Sequence, residues 1–86
     1  MKVPELLDIQ QETGHLVIDA RNAIRTGHHP RYEILKLVQD APMGTLCEIH
    51  VPHRTVPLVG ALEELGLNVA VSEVEPFHWR LRVMKL

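Results

Sequence analysis

Histidine is the residue type in this sequence best suited to chemistry, because the 86-residue chain contains six of them. They are His15, His28, His29, His50, His53 and His78. Imidazole is the commonest metal ligand in proteins, and its charge changes near neutral pH. Three neutral imidazoles with bonds of about 2.0–2.1 Å satisfy zinc, copper or iron and leave one coordination position open. The sequence therefore predicts a metal site, with separate surface imidazoles as the alternative.

The elements that must position these histidines follow from hydrophobic periodicity, which predicts the order β-α-β-α-β-β. The predicted strands cover residues 15–20, 45–51, 67–75 and 77–85. The first helix begins at Pro30, whose missing N–H costs nothing in a first turn, and ends near Ala41 because Pro42 cannot continue it. The second helix begins after the N-cap Thr55, and its left-handed C-terminal cap is expected at Gly66. Residues 22–29 are predicted to form a loop.

Helical crossovers make the first three strands parallel, and their right-handedness places both helices on one face. The last strand runs antiparallel to the third. The expected fold is therefore an α/β two-layer sandwich with a four-stranded mixed sheet. One set of alternating side chains in the last strand faces the helices, namely Phe77, Trp79, Leu81 and Val83. The opposite, open face of the sheet is expected to carry Glu48, His50, His78, Arg80 and Arg82.

Residues 1–14 are interpreted as an N-terminal extension of a single domain that covers residues 1–86. Within it, Leu7 and Ile9 alternate with polar residues, which favours an additional strand. A short helix that begins at Pro4 is also compatible with this segment.

Five histidines fall toward one edge of the predicted sheet, where open α/β sheets bind ligands. His28 and His29 follow the first strand, His50 and His53 lie at the end of the second, and His78 begins the fourth. We expect His29, His50 and His78 to be the principal metal ligands, with His28 and His53 next. If the last strand lies beside the second, His50 and His78 become neighbours on the open face.

Two further groups at this edge extend the predicted site. Glu48 is a candidate fourth ligand or a partner that orients a ligating histidine. The N-termini of both helices carry partial positive charge and lie beside Arg31 and Arg54, so a phosphate, sulfate or carboxylate is a candidate ligand there. The alternative for the two arginines is ordinary solvation at capped helix ends.

The sequence resembles the TusA/SirA-like family of small sulfur-carrier proteins over residues 15–86. Residues 18–21 (Ile-Asp-Ala-Arg) match a strand of that family, and residues 43–46 (Met-Gly-Thr-Leu) match the turn into its second strand. Residues 27–31 (Gly-His-His-Pro-Arg) fall where the family has its Cys-Pro-x-Pro motif. The resemblance implies the same fold, but the family's persulfide-carrying cysteine falls at His29 and its second motif proline at Tyr32.

A histidine cannot carry a persulfide, so the sequence is more similar to the cysteine-less relatives that are grouped as a domain of unknown function. Those domains often accompany hemerythrin-like or redox-linked proteins. The resemblance therefore implies a metal or redox context and a protein partner.

Composition narrows the function classes. The formal net charge of −2 argues against an electrostatic nucleic-acid binder and against a polybasic membrane segment. No apolar stretch approaches the roughly 20 residues of a membrane span, and the first residues carry an acid and a proline where a signal peptide needs an apolar run. The single cysteine, Cys47, permits no intrachain disulfide and fits a reducing cytoplasm; we expect it to be a buried thiol.

No arrangement of nucleophile, base and acid is visible, so we do not expect an enzyme. The function expected from the sequence is a non-enzymatic accessory domain whose histidine-rich edge binds zinc, copper or iron, or a metal-bearing redox partner. One alternative is a TusA-like carrier, which requires an accessible Cys47. The other is a protein-interaction module that uses Arg80 and Arg82 on the open face, and the oligomeric state stays open.

Overall fold

Five strands form one mixed sheet in the computed structural model, which describes residues 7–85. They are β1 (Asp8–Glu12), β2 (His15–Asp19), β3 (Leu46–Val51), β4 (Val69–Glu75) and β5 (His78–Met84), in the spatial order β1-β2-β3-β5-β4. The helices are α1 (Arg21–Arg25), α2 (Arg31–Asp40) and α3 (Val56–Glu64). The predicted α/β sandwich with a mixed sheet is therefore confirmed. Compared with the predicted order β-α-β-α-β-β, the structure has one additional strand, β1, and one additional short helix, α1.

The pairing of the strands follows the predicted topology. β2 and β3 run parallel, and β5 pairs antiparallel with β3 on one side and with β4 on the other. β1 pairs antiparallel with β2, so the strand interpretation of the N-terminal segment is confirmed for Asp8–Glu12. The helix alternative at Pro4 falls largely on residues 1–6, outside the described residues.

The hydrophobic core lies between the sheet and the helices α2 and α3. In β3 the burial alternates strictly, with every second side chain buried. The buried residues that share the core are Leu16, Ile18, Ala20, Ile34, Val38, Ala41, Cys47, Ile49, Val51, Leu58, Leu62, Leu81 and Val83. Because both helices contribute to this one cluster, they cover one face of the sheet, and no described helix covers the other face.

Two local features differ from the sequence-based expectation. The segment predicted as a loop contains α1, a single turn whose Ala23 is buried against the rest of the fold. Phe77 was expected in the core, but it is 82% exposed in the turn between β4 and β5 and has a positive φ of 64°. Pro76 occupies the second position of this turn, and a positive φ at the third position is typical of a type II turn, so this backbone conformation removes Phe77 from the strand alternation.

Trp79 is partly buried against the core, as its place in the alternating set of β5 predicted.

Within residues 7–85, no helix is long and apolar enough to cross a membrane.

Two leucines near the end of α3 provide a matched test of where the core lies. Leu62 is fully buried, whereas Leu65 is 42% exposed. We expect Leu62→Ala to lower the free energy of unfolding by about 2–5 kcal/mol, because it removes buried methyl groups and leaves a cavity. Leu65→Ala should cost less than about 1 kcal/mol, because a side chain that is already partly solvated loses less burial. Urea denaturation of both variants measures the difference, and equal losses would contradict this placement of the core.

Candidate functional site

His50 and His78 are in contact on the open face of the sheet, although they are 28 positions apart in the chain. His50 Nδ1 lies 2.8 Å from His78 Nε2, and the two ring centroids are 5.0 Å apart. The contact arises because β5 lies beside β3 with His50 opposite Arg80, so His78 is the next side chain along the same face. The expected neighbourhood of these two histidines is therefore confirmed.

Glu48 fixes the orientation of the His50 ring. Its Oε2 lies 2.8 Å from His50 Nε2. A carboxylate only accepts hydrogen bonds, so we assign the donor N–H of His50 to Nε2. In neutral His50 the nitrogen Nδ1 then carries a lone pair and accepts the hydrogen bond that His78 donates from Nε2.

The contact continues at both ends into a row of histidines and carboxylates. His15 Nε2 lies 3.9 Å from the second oxygen of Glu48, and His78 Nδ1 lies 3.9 Å from Oε1 of Glu75. We call His15, Glu48, His50, His78 and Glu75 the histidine–carboxylate row. Sequence reasoning did not include His15 or Glu75 in the site. The alternation of β2 could have placed His15 on the face of Glu48, but Glu75 reaches His78 through an irregular register near the turn.

An ion pair lies beside the row at the end of β2. Arg21 donates two side-chain hydrogen bonds to Asp19, of 3.0 and 2.7 Å, and its backbone N–H donates a third of 3.1 Å. The side-chain hydrogen bond from Arg21 is the main reason that the pKa of Asp19 is lowered. A small cavity of about 140 Å³ opens between this pair and the two histidines. Its walls are Asp8, Gln10, Val17, Asp19, Arg21, His50 and His78.

A larger cavity, of about 450 Å³, lies at the end of the molecule where α2 and α3 begin. We call it the rim groove. Its polar and titratable lining comes from His29, Arg31, Tyr32, His53, Arg54 and Thr55, and the remaining lining residues are Ile24, Pro30, Ile34, Val56, Pro57 and Leu58. The lining therefore includes two arginines and two histidines but no carboxylate. This arrangement brings together His29, His53 and both arginines of the expected anion site.

The backbone adds to the positive potential of the rim groove. The N-caps Pro30 and Thr55 make no side-chain capping hydrogen bond, so N–H groups in the first turns of α2 and α3 are left without that partner. The hydroxyl oxygen of Thr55 is buried and has no hydrogen-bond partner among residues 7–85. First-turn N–H groups without a side-chain cap and a buried hydroxyl are donors that an anion in the groove can use.

The five expected metal ligands do not come together in one place. His50 and His78 touch on the open face, His29 and His53 line the rim groove, and His28 is exposed with Nδ1 3.1 Å from the hydroxyl of Thr26. In the described part of the chain, no group of three or more histidine, cysteine, aspartate or glutamate residues has a geometry that could hold a metal ion.

Cys47 lies in the core with its side chain fully buried, as its place in β3 predicted. Burial raises the pKa of its thiol, which disfavours the nucleophilic thiolate. It lines neither the rim groove nor the small cavity.

Comparisons of the sequence with protein-family models and with curated proteins, and of the structure with solved structures, found no match. The functional interpretation therefore starts from the rim groove and the histidine–carboxylate row.

The burial of Cys47 predicts a thiol that reacts only when the protein opens. We expect a disulfide reagent such as 5,5′-dithiobis(2-nitrobenzoate) to modify the native protein at least about 100-fold more slowly than the urea-unfolded chain, because both access and thiolate formation are suppressed. The absorbance of the released thiolate measures both rates. Rapid modification of the native protein would show that the thiol is accessible and would support the alternative that Cys47 acts as a carrier.

The surroundings of His78 predict a depressed pKa. Desolvation lowers the pKa of His78 below its ordinary value of 6.5, and the positive charges of Arg21 and His50 lower it further, against the carboxylates of Glu75 and Asp19. In Arg21→Ala we expect this pKa to rise, because a cation is removed and Asp19 loses its neutralising partner. Titration of the His78 ring by NMR in both proteins measures the change, and an unchanged or lower value in the variant would contradict the assignment.

The lowered pKa of His78 also determines how its contribution to folding stability depends on pH. A folded-state pKa below the unfolded-state value means that the unfolded chain binds this proton more readily. The contribution of His78 is therefore fully present above its ordinary value of 6.5 and is lost as the pH falls below it.

Proposed function

We propose that this protein is a non-catalytic binding domain whose rim groove holds the anionic group of a small molecule with an apolar body. The observation that carries the proposal is the convergence of His29, Arg31, His53 and Arg54 on one cavity that no carboxylate lines. These side chains come from two chain segments that are separated by a strand and a helix. Their convergence follows from the parallel arrangement of β2 and β3, which starts both helices at the same end of the sheet.

The charge distribution favours an anion. Each helix N-terminus is equivalent to about half a positive charge, and α2 and α3 both begin at the groove. A guanidinium group binds a carboxylate or phosphate through two parallel hydrogen bonds, so Arg31 and Arg54 add geometry as well as charge. Protonation of His29 or His53 would strengthen the attraction further.

The size and floor of the groove favour a ligand larger than an inorganic ion. Its volume of about 450 Å³ falls within the range of roughly 300–1,000 Å³ that is typical of small-molecule sites. Its floor includes Ile34, Pro30 and Leu58, all of which are buried. An apolar surface with a few polar groups at its margin is the usual construction of such sites, because apolar contact supplies affinity and polar groups fix orientation.

The resemblance noted in the sequence supports the same location, because the position of the family's motif cysteine falls at His29, which lines the groove. Sulfur transfer at this position would need a thiol, and no cysteine lines the groove in the described part of the chain. The proposal is therefore for binding and does not include a carrier reaction.

The proposal is tested with two probes, inorganic phosphate and the apolar sulfonate 8-anilinonaphthalene-1-sulfonate. The variant Arg31→Ala/Arg54→Ala should weaken sulfonate binding at least about tenfold, because it removes both guanidinium groups that donate charge-assisted hydrogen bonds. The matched control is Arg25→Ala/Arg82→Ala, which removes the same charge from exposed positions that do not line the groove. Fluorescence titration measures the affinities.

Phosphate locates the site independently of any variant. We expect it to shift the backbone amide signals of Tyr32 and Leu58, which lie in the first turns of α2 and α3, and to compete with the sulfonate. Equal weakening in the control variant, or phosphate shifts confined to other segments, would overturn the proposal.

A further inference from the structure

The contact between His50 and His78 brings together two imidazole nitrogens of the kind that bind metal ions. Neither histidine lines the rim groove. Two ring nitrogens point at each other across 2.8 Å. Two nitrogens that share a tetrahedral zinc ion with bonds of about 2.0–2.1 Å are about 3.3 Å apart. Rotations of the two rings that separate the nitrogens by about half an ångström and turn both lone pairs toward one point would therefore create the arrangement that a metal ion needs.

We propose that His50 and His78 form a two-histidine site for a divalent transition-metal ion such as zinc or copper on the open face of the sheet. The ion lies between His50 Nδ1 and His78 Nε2 and replaces the hydrogen bond that now joins them. Because no third ligand is arranged around the pair in the described residues, water completes the coordination sphere.

Each histidine has a carboxylate behind the nitrogen that faces away from the other ring. Glu48 lies 2.8 Å from His50 Nε2, and Glu75 lies 3.9 Å from His78 Nδ1. Metal-ligating histidines almost always donate their second N–H to a carboxylate, a carbonyl or water, which fixes the tautomer and raises the basicity of the ligating nitrogen. The row thus has the order carboxylate, histidine, histidine, carboxylate, with the metal position at its centre.

The protons balance without an external partner. His50 keeps its proton on Nε2, where Glu48 accepts it, and its Nδ1 lone pair binds the metal. The proton of His78 moves from Nε2 to Nδ1 on the side of Glu75, which frees the Nε2 lone pair for the metal. The ion loses two bound waters, and neither a proton nor an electron leaves the protein.

The surroundings suit a cation that keeps some of its water. The small cavity in front of the pair has a volume of about 140 Å³, which holds a few water molecules at roughly 30 Å³ each. The carboxylates around the pair are Asp8, Asp19, Glu48 and Glu75, and the cations are Arg21, Arg80 and Arg82, the last of which lies opposite Glu48. The local balance of fixed charge is therefore negative, which favours a divalent ion.

The experiment uses the full chain without an affinity tag. Isothermal titration with zinc should show one ion per chain at this site, with the affinity at least about tenfold lower in His50→Gln and in His78→Gln. Glu48→Gln should lower the affinity by about tenfold or more while leaving both ligands in place, because carboxylates that orient ligating histidines typically contribute 10–100-fold. The matched control is His28→Gln, an exposed histidine outside both the rim groove and the histidine–carboxylate row, which should keep the affinity of the original protein.

Two further measurements keep the test independent of folding defects and of the rim groove. In the unsubstituted protein, zinc should shift the NMR signals of the His50 and His78 rings, and copper should give an electron paramagnetic resonance spectrum with coupling to two imidazole nitrogens. Sulfonate binding at the rim groove should be unchanged in His50→Gln, which separates the two proposals. Absence of zinc binding, or an equal loss of affinity in the His28→Gln control, would overturn the metal site.

Discussion

β5 is inserted between β3 and β4 and has hydrogen-bonded neighbours on both sides. This position determines both the packing of the core and the arrangement of side chains on the open face. Through one alternate set of side chains, the insertion places Leu81 and Val83 in the centre of the core. Through the other set, it brings His78 against His50. A strand at the margin of the sheet would leave those two histidines apart. The packing of the domain and the chemistry of its open face therefore depend on the same pairing.

The rim groove depends on a different constraint, the parallel relation of β2 and β3. Each of these strands is followed by a segment that ends in a helix N-terminus, so α2 and α3 begin at one end of the sheet. Pro30 and Leu58 are buried there and anchor the N-terminal ends of α2 and α3 against the core. Arg31 and Arg54 are exposed. Buried apolar residues and exposed cations thus alternate within a few positions, which produces an apolar floor with a positive margin.

Much of the fold could be predicted from the sequence, because alternation in the strands and proline positions at the helix ends are local signals. The exposed position of Phe77 could not, because a left-handed turn conformation interrupts the alternation that its neighbours follow. Topology predicted that the histidines of the loops and strand ends fall toward one end of the sheet. It did not indicate their layer: His50 lies within β3 on its open side, while His53 follows Pro52 and lines the groove beside the helices. The contact from His78 to Glu75 depends on a local register shift that no pattern in the sequence reveals.

The one-sided covering of the sheet has a consequence for how such a domain can diverge. In β3, the buried side chains of Cys47, Ile49 and Val51 form part of the core. Glu48 and His50, at the alternate positions, are not part of that core. Mutations at the second set can therefore accumulate, and the chemistry of the exposed layer can change, without a matching loss of foldability. An ancestral sheet of this type can be inherited intact by descendants that have exchanged every polar group on its uncovered side.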